Sequence, residues 1–349
     1  MSNTGNSVHH YDWCYVSGRV NVLECNLLNT TFYERLLSSD DLGNVVAYLS
    51  NTPLKDYFTH VKHLYEYETL LDENYYSRLY EIRSLSPDSA ICDFFLIRND
   101  IFNLKKFVKS KACGTSVGKY FRGTIDKNKY DNAWNGKTTS LPELVNESIS
   151  LFKRSMATVK REELPFIIDL IIDGVYLKYI ESICKRIEVE IVKRYMMAYQ
   201  FFKGFEAIRR AVVLRFDMDI LNKYYLERFD QKHVFRKLAK NTAWASEKTF
   251  RDIMAETHCN ASLQEIGAVI HTMLSNTSQN ISFRYEVLTD DYLLDMIRPV
   301  KYTPFGPERV FGYLCGLTTE VFNLKLVLGG KVHKIENNLL RERLRRTYV

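Results

Sequence analysis

An all-α fold is what this chain of 349 residues predicts, and three observations predict it. Only 15 Gly and 7 Pro interrupt it, too few for a turn-rich β architecture and few enough for long helices. Apolar residues recur at three- and four-residue spacing through most segments, and no segment convincingly signals a strand. One helical phrase is also written twice. Residues 87–108 read PDSAICDFFLIRNDIFNLKKFV, and residues 307–328 read PERVFGYLCGLTTEVFNLKLVL. Each opens on Pro and an acid, reaches a matched acid at Asp100 or Glu320, and then spells Phe-Asn-Leu-Lys at 102–105 or 322–325. The matched positions lie 220 apart without a gap, the mark of a duplicated building block.

In chain order, the segment at about 11–110 carries Val16, Val20, Leu23 and Leu27, then Leu36, Leu37, Val45, Val46 and Leu49, all at helical spacing. It closes with the first copy of the repeated helix. Ser86 is placed to cap that helix, Pro87 to occupy its first position, and Gly114 to lie just past its end. The polar stretch 111–139 reads as a linker or surface loop. Ser140-Leu-Pro-Glu143 has the capping-box pattern and starts the next helix.

Two helical runs follow, one from near Pro165 and one from about Ile183 to Phe216, the second containing only Gly204 as a breaker. Inside it Ala207-Ile208-Arg209 stands where Asn-Leu-Lys stands elsewhere, a degenerate third copy. Pro299, Pro304 and Pro307 break the chain before the second full copy, which reads as ending at Gly329-Gly330. A last amphipathic helix is predicted, with Leu340, Leu344 and Tyr348 on one stripe and Arg341, Arg343, Arg345 and Arg346 around it. Leu49-Ser-Asn-Thr52 and Met254-Ala-Glu-Thr257 form a weaker echo ahead of the repeated helices. The spacing of positions 103, 207 and 323 divides the chain into three helical modules, 1–113, 114–216 and 217–349.

Composition narrows the function classes. Hydrophobic content of 46% and charged content of 26% are those of a soluble globular protein. A net charge of +6 permits an acidic partner or a membrane surface without requiring nucleic acid. No apolar region follows the N-terminus, so a secretory leader is not expected. The most apolar stretches, 166–177 and 310–317, are far short of the about 20 residues that span a bilayer, and the first carries Asp169 and Asp173. Seven scattered cysteines without a CxxC pair read as free thiols of a reducing compartment.

Chemistry-bearing motifs are scarce. Residues 114–120, GTSVGKY, resemble a phosphate-binding loop. They are one residue short between glycine and glycine-lysine, carry Tyr120 where a magnesium-binding hydroxyl belongs, and follow a helix instead of a strand. His60 and His63 fall on one helical face without the further ligand that a catalytic zinc needs, so they read as surface or packing histidines. No catalytic residue, cofactor site or metal site is expected. The basic, aromatic-interleaved stretch 119–137 permits nucleic-acid contact but lacks a recognition-module pattern.

The repeated asparagine carries more information. Asparagine is a mediocre helix former, so Asn103 and Asn323 at one register ask for a specific partner. Two readings stand: a half-buried amide tying its helix to a neighbouring helix end, or a polar surface of Asn103, Lys105, Arg209, Asn323 and Lys325 meeting a partner or holding modules together. The arginines at the C-terminus have the same two readings, a solvated face or a docking patch.

The stretches NDIFNLK (99–105), LSNTP (49–53), GPERVFGYLCGLTTEVFNLKLVLGGK (306–331) and LRERLRRTYV (340–349) together resemble the C subunit of V-type ATP synthases. That family is the counterpart of the d subunit in the eukaryotic membrane sector. The resemblance implies three all-helical modules about a pseudo-threefold axis, shaped as a funnel and devoid of an active site. It implies a single-copy rotor part at the cytoplasmic face of the membrane, peripheral and not spanning. Its implied partners are central stalk subunits D and F and the proteolipid ring, with no nucleic acid. Gly204 and Ala207 in the middle copy and the stretch 111–139 depart from strict threefold equivalence. From a different class, the alternative is a free helical adaptor or nucleic-acid-binding scaffold.

Overall fold

The structure is a computed structural model that describes residues 10–39, 42–58, 66–114, 116–137, 142–156, 159–160, 163–213, 215–228 and 281–349. Among the described residues every regular element is helical and none is a strand, so the predicted all-α class is correct. His60, His63 and the echo at 254–257 lie outside the described residues. The chain divides into two compact units that each gather separated segments. One holds Met1–Cys92, Val189–Tyr195 and Ser278–Val349; the other holds Asp93–Glu188 and Met196–Thr277.

In the first unit the N-terminal helices α1 (Cys14–Glu24), α2 (Thr30–Ser38), α3 (Leu42–Leu49), α4 (Lys55–Phe58) and α5 (Tyr67–Leu85) meet the C-terminal part of the chain. Leu36, Leu37, Val45, Leu49 and Leu71 are fully buried against Leu324, Val327 and Leu328 of the second full copy of the repeat. This single apolar core therefore joins residues some 250 to 290 positions apart, and its burial is the main stabilising contribution. The first helix packs on the last long one: Ser17 Oγ accepts the Gly306 N–H at 3.1 Å, and Arg309 forms a buried ion pair with Glu24 at 2.6 Å.

The second unit contains most of α6 (Ala90–Cys113), then α7 (Lys127–Trp134), α8 (Glu143–Ser155), α9 (Leu164–Arg186), most of α10 (Glu190–Val213) and α11 (Met218–Tyr224). Ile167, Ile168, Ile171 and Ile172 give α9 its buried face. At Gly174 a Cβ would come within 2.7 Å of the Tyr224 carbonyl oxygen, so the glycine lets the chain after α10 fold back onto α9.

Several sequence expectations are corrected. The first copy starts at Ala90, and Asp88 instead of Ser86 accepts the free Ala90 N–H at 2.9 Å; the Ser86 hydroxyl donates back to Ile82. The two runs in the middle of the chain divide at 187–189, not at Ile183. Of the stretch 111–139, residues 116–126 are the surface loop that the sequence suggests, while 111–113 end α6 and 127–134 are helical. After Gly114, whose φ of 70° turns the chain off α6, residues 116–126 run back along that helix and lead into α7. The second full copy continues past its glycine pair as α13 (Pro307–Val332), preceded by α12 (Ile281–Ile297). The last helix, α14, covers only Asn337–Arg343; residues 344–349 are not helical.

Candidate functional site

The repeated asparagine and lysine perform the same tasks in both full copies, whereas the repeated acid takes different partners in each. In α6 the Asn103 side chain is buried and makes two hydrogen bonds to one residue: its amide donates to the Phe121 carbonyl at 2.9 Å, and its oxygen accepts the Phe121 N–H at 2.8 Å. In α13 Asn323 does the same to Arg345, with both bonds at 2.9 Å. Each helix is therefore followed by a non-helical stretch that is tied to it by an amide. We call these stretches straps. An asparagine fits the task because only an amide offers a donor and an acceptor side by side to a peptide unit.

The acid lies one turn earlier. Asp100 is fully buried and accepts from Thr124 N–H at 2.8 Å, Thr124 Oγ at 2.7 Å and Ile125 N–H at 3.0 Å. Burial raises its pKa, and these three hydrogen bonds oppose the rise. A side chain at Gly123 would overlap this carboxylate, which explains a glycine in the middle of the strap. Glu320 is buried too, but one donor reaches it, the Leu28 N–H at 2.5 Å. Burial pushes the Glu320 pKa up to about 7, and the single N–H only partly opposes it.

The lysine reaches the neighbouring helix. Lys105 pairs with Asp173 of α9 at 2.6 Å, while Lys109 takes Asp169 at 2.7 Å. Lys325 pairs with Asp72 of α5 at 2.7 Å. Asp169 and Asp173, which break the apolar run of α9, are thus the acceptors for two lysines one turn apart on α6. The helix that leads in the chain to the first copy receives the lysine of the last copy. The helix that leads to the middle copy receives the lysine of the first. In α10 the sequence supplies Gly204 for the acid and Ala207 for the asparagine, so neither tie exists there. Arg209 lies on α10, and its side chain is outside the described residues.

Residues that sequence reasoning missed are those that receive these side chains. The Tyr348 ring lies over two glycines of α13; a Cβ at Gly316 would sit 2.8 Å from the Tyr348 Cβ. Their GxxxG spacing was the available signal for a close approach. Of the C-terminal arginines, Arg341, Arg343 and Arg346 are exposed, as the solvated-face reading expects, and those named next also pair with acids. Arg345 stacks on Phe322 at 4.0 Å and pairs with Asp290 at 2.9 Å; Arg346 meets Asp291 and Asp295, and Arg341 meets Glu34 at 2.9 Å.

The family model for the ATP synthase (C/AC39) subunit matches residues 16–343, nearly the whole chain. The chain belongs to this family. No curated protein matches the chain. Within a C/AC39 subunit the geometry above is a set of structural ties. Among the described residues no group of acids, histidines or cysteines could hold a metal ion, and no helix is long and apolar enough to cross a membrane. Residues 116–119 of the loop-like segment are part of the first strap, where the Lys119 carbonyl accepts from Lys106 at 3.2 Å. In the basic, aromatic stretch 119–137, Tyr130 and Ala133 are buried while Lys119, Arg122, Lys127 and Lys137 are exposed. Lys106 lies 4.7 Å over the Phe121 ring, and Lys111 pairs with Asp131 at 3.3 Å.

Proposed function

We propose that this C/AC39 subunit is the non-catalytic rotor part that couples the central stalk, subunits D and F, to the proteolipid ring of a rotary ATPase. In this reading it sits once per complex on the cytoplasmic face of the membrane, peripheral and not spanning it. Three helical modules, bounded near 113 and 216, surround a pseudo-threefold axis as a funnel. The observation that carries the reading is the reinforced repeat. A part that passes torque must resist shear, and a long helix tied by an acid, an amide and a lysine at three levels is stiffened along its length. The order of the lysine pairs supports the threefold arrangement, since a contact made head to tail between successive units closes into a ring when the rotation allows.

Asn103, Lys105, Asn323 and Lys325 serve in this reading as internal fasteners, and Arg209 takes the lysine's place in the middle copy. Purification of the tagged chain in mild detergent tests the proposal. The expected result is stoichiometric recovery of stalk subunits and proteolipid ring. Recovery of nucleic acid in a salt-sensitive manner, without those partners, would overturn it.

A further inference from the structure

The first strap carries side chains that its own fastening does not use. Residues 116–129 contain four bases, Lys119, Arg122, Lys127 and Lys129, against one acid, Asp126, whose carboxylate accepts the Asn128 N–H at the start of α7. Lys119, Arg122 and Lys127 are exposed, and among the described residues none of these three side chains meets an acid. Their backbone is nonetheless fixed. Lys106 donates to the Lys119 carbonyl at 3.2 Å, Asn103 holds both polar backbone atoms of Phe121, and Asn99 donates to the Arg122 carbonyl. An aromatic pair accompanies the cations. Phe102 of α6 and Phe121 of the strap meet edge to face at 5.3 Å while staying 52% and 42% exposed. Lys106 Nζ lies 5.3 Å from the first ring centre and 4.7 Å from the second.

The second strap provides the contrast. There Arg345 stacks on the exposed Phe322, and Arg345 and Arg346 pair with Asp290, Asp291 and Asp295 of α12. The fold thus neutralises these cations of one strap and leaves Lys119 and Arg122 of the other to solvent.

We infer that Phe102, Phe121, Lys119 and Arg122 form a docking surface for an anionic phospholipid bilayer. Charge complementarity sets the sign of the occupant, since each cation held near a negative lipid surface strengthens attachment by about fivefold. The rings select a bilayer among anions. Exposed phenylalanine edges can enter the boundary between headgroups and acyl chains, where aromatic rings and flanking lysine or arginine are accommodated together. A nucleic acid would need open ring faces on which to stack bases, and Lys106 occupies a face of both rings. Because the strap backbone is already tied, little order is lost on contact. The inference goes beyond the rotor reading and does not depend on it: protein partners alone could hold a rotor part near the membrane, whereas this surface touches lipid directly.

Co-sedimentation of the full chain, free of partners, with vesicles of equal parts phosphatidylcholine and phosphatidylglycerol tests the inference, with vesicles of phosphatidylcholine alone for comparison. Saturable binding to the anionic vesicles is expected, weakened by salt, with little binding to the neutral ones. Lys119→Gln combined with Arg122→Gln should weaken it by about thirtyfold, from about fivefold per cation. Phe121→Ser should also weaken it but keep its salt dependence, because apolar contact is lost and no charge is. Arg154→Gln combined with Lys334→Gln, two exposed cations elsewhere in the chain, should bind like the parent. Circular dichroism melts of each variant identify any loss of fold. Absence of binding to the anionic vesicles, equal binding to the neutral ones, an equal loss in the Arg154 and Lys334 pair, or tighter binding of a single-stranded oligonucleotide or of polyglutamate would each overturn the inference.

Discussion

Glu320 and Asp100 hold equivalent places in the repeat but live in different electrostatic conditions. Asp100 is served by three donors from one strap, whereas Glu320 has one N–H and faces Tyr33 and Tyr313, neither of which brings positive charge. The cavity beside Glu320 offers only about 10 Å³, close to the minimum for one water molecule. With its pKa moved from an ordinary 4.5 to about 7, the folded chain keeps a proton in this window that the unfolded chain has released. The sign follows: between those values stability falls as pH rises, by about 3 kcal/mol in all, and then levels off. Glu320→Gln keeps an acceptor for Leu28 and removes the charge. Thermal melts should show the variant more stable than the parent at pH 8 and nearly equal to it at pH 5. A variant less stable than the parent at both pH values would mean that the ionised carboxylate is needed.

At the scale of elements, each strap should behave as a separable part. Asn103→Ala strips two hydrogen bonds from Phe121, and Asn323→Ala strips two from Arg345, each leaving a peptide N–H and carbonyl without their partner. The expected cost is about 2 kcal/mol or more apiece. Hydrogen exchange locates it: Asn103→Ala should expose 116–126 and Asn323→Ala 344–349, each without opening the other strap. A uniform loss of protection would show that the straps are not separate fasteners.

Periodicity made the helices and the repeat legible in the sequence, and Gly114 marked the end of α6. The straps were not legible, because a non-helical stretch held by side-chain amides has no period of its own. The same blindness produced the overlong last helix. Leu340, Leu344 and Tyr348 satisfy helical spacing, yet Tyr348 is buried by a non-helical tail that Asn323 holds at Arg345 and that two glycines admit. Lysine partners were hidden for a related reason: Asp72 and Asp173 are distant in sequence, and nothing local marks an acid as an acceptor.

At the scale of the whole molecule, the first unit joins both ends of the chain, and its stability should therefore depend on a very short tail. Thr347 Oγ lies 3.0 Å from Thr30 Oγ of α2, Arg345 bridges Phe322 of α13 to Asp290 of α12, and Tyr348 fills the space over Gly312 and Gly316. Removing residues 344–349 opens that space and strands Asn323 and Asp290 together. The deletion should destabilise the first unit by several kcal/mol, the sum of a vacated aromatic site and a broken amide clamp. Long-range closure makes the effect non-local in sequence: amide exchange should accelerate in α1 and α2, some 300 residues upstream, as strongly as in α12 and α13. Tyr348→Phe separates the contributions, since it keeps the ring over the glycines and removes only the hydroxyl; it should retain most of the protection. If the truncated chain exchanged α1 and α2 at the parental rate, the N-terminal helices would be held by the α13 core alone, and the tail would be an ornament on a unit already closed.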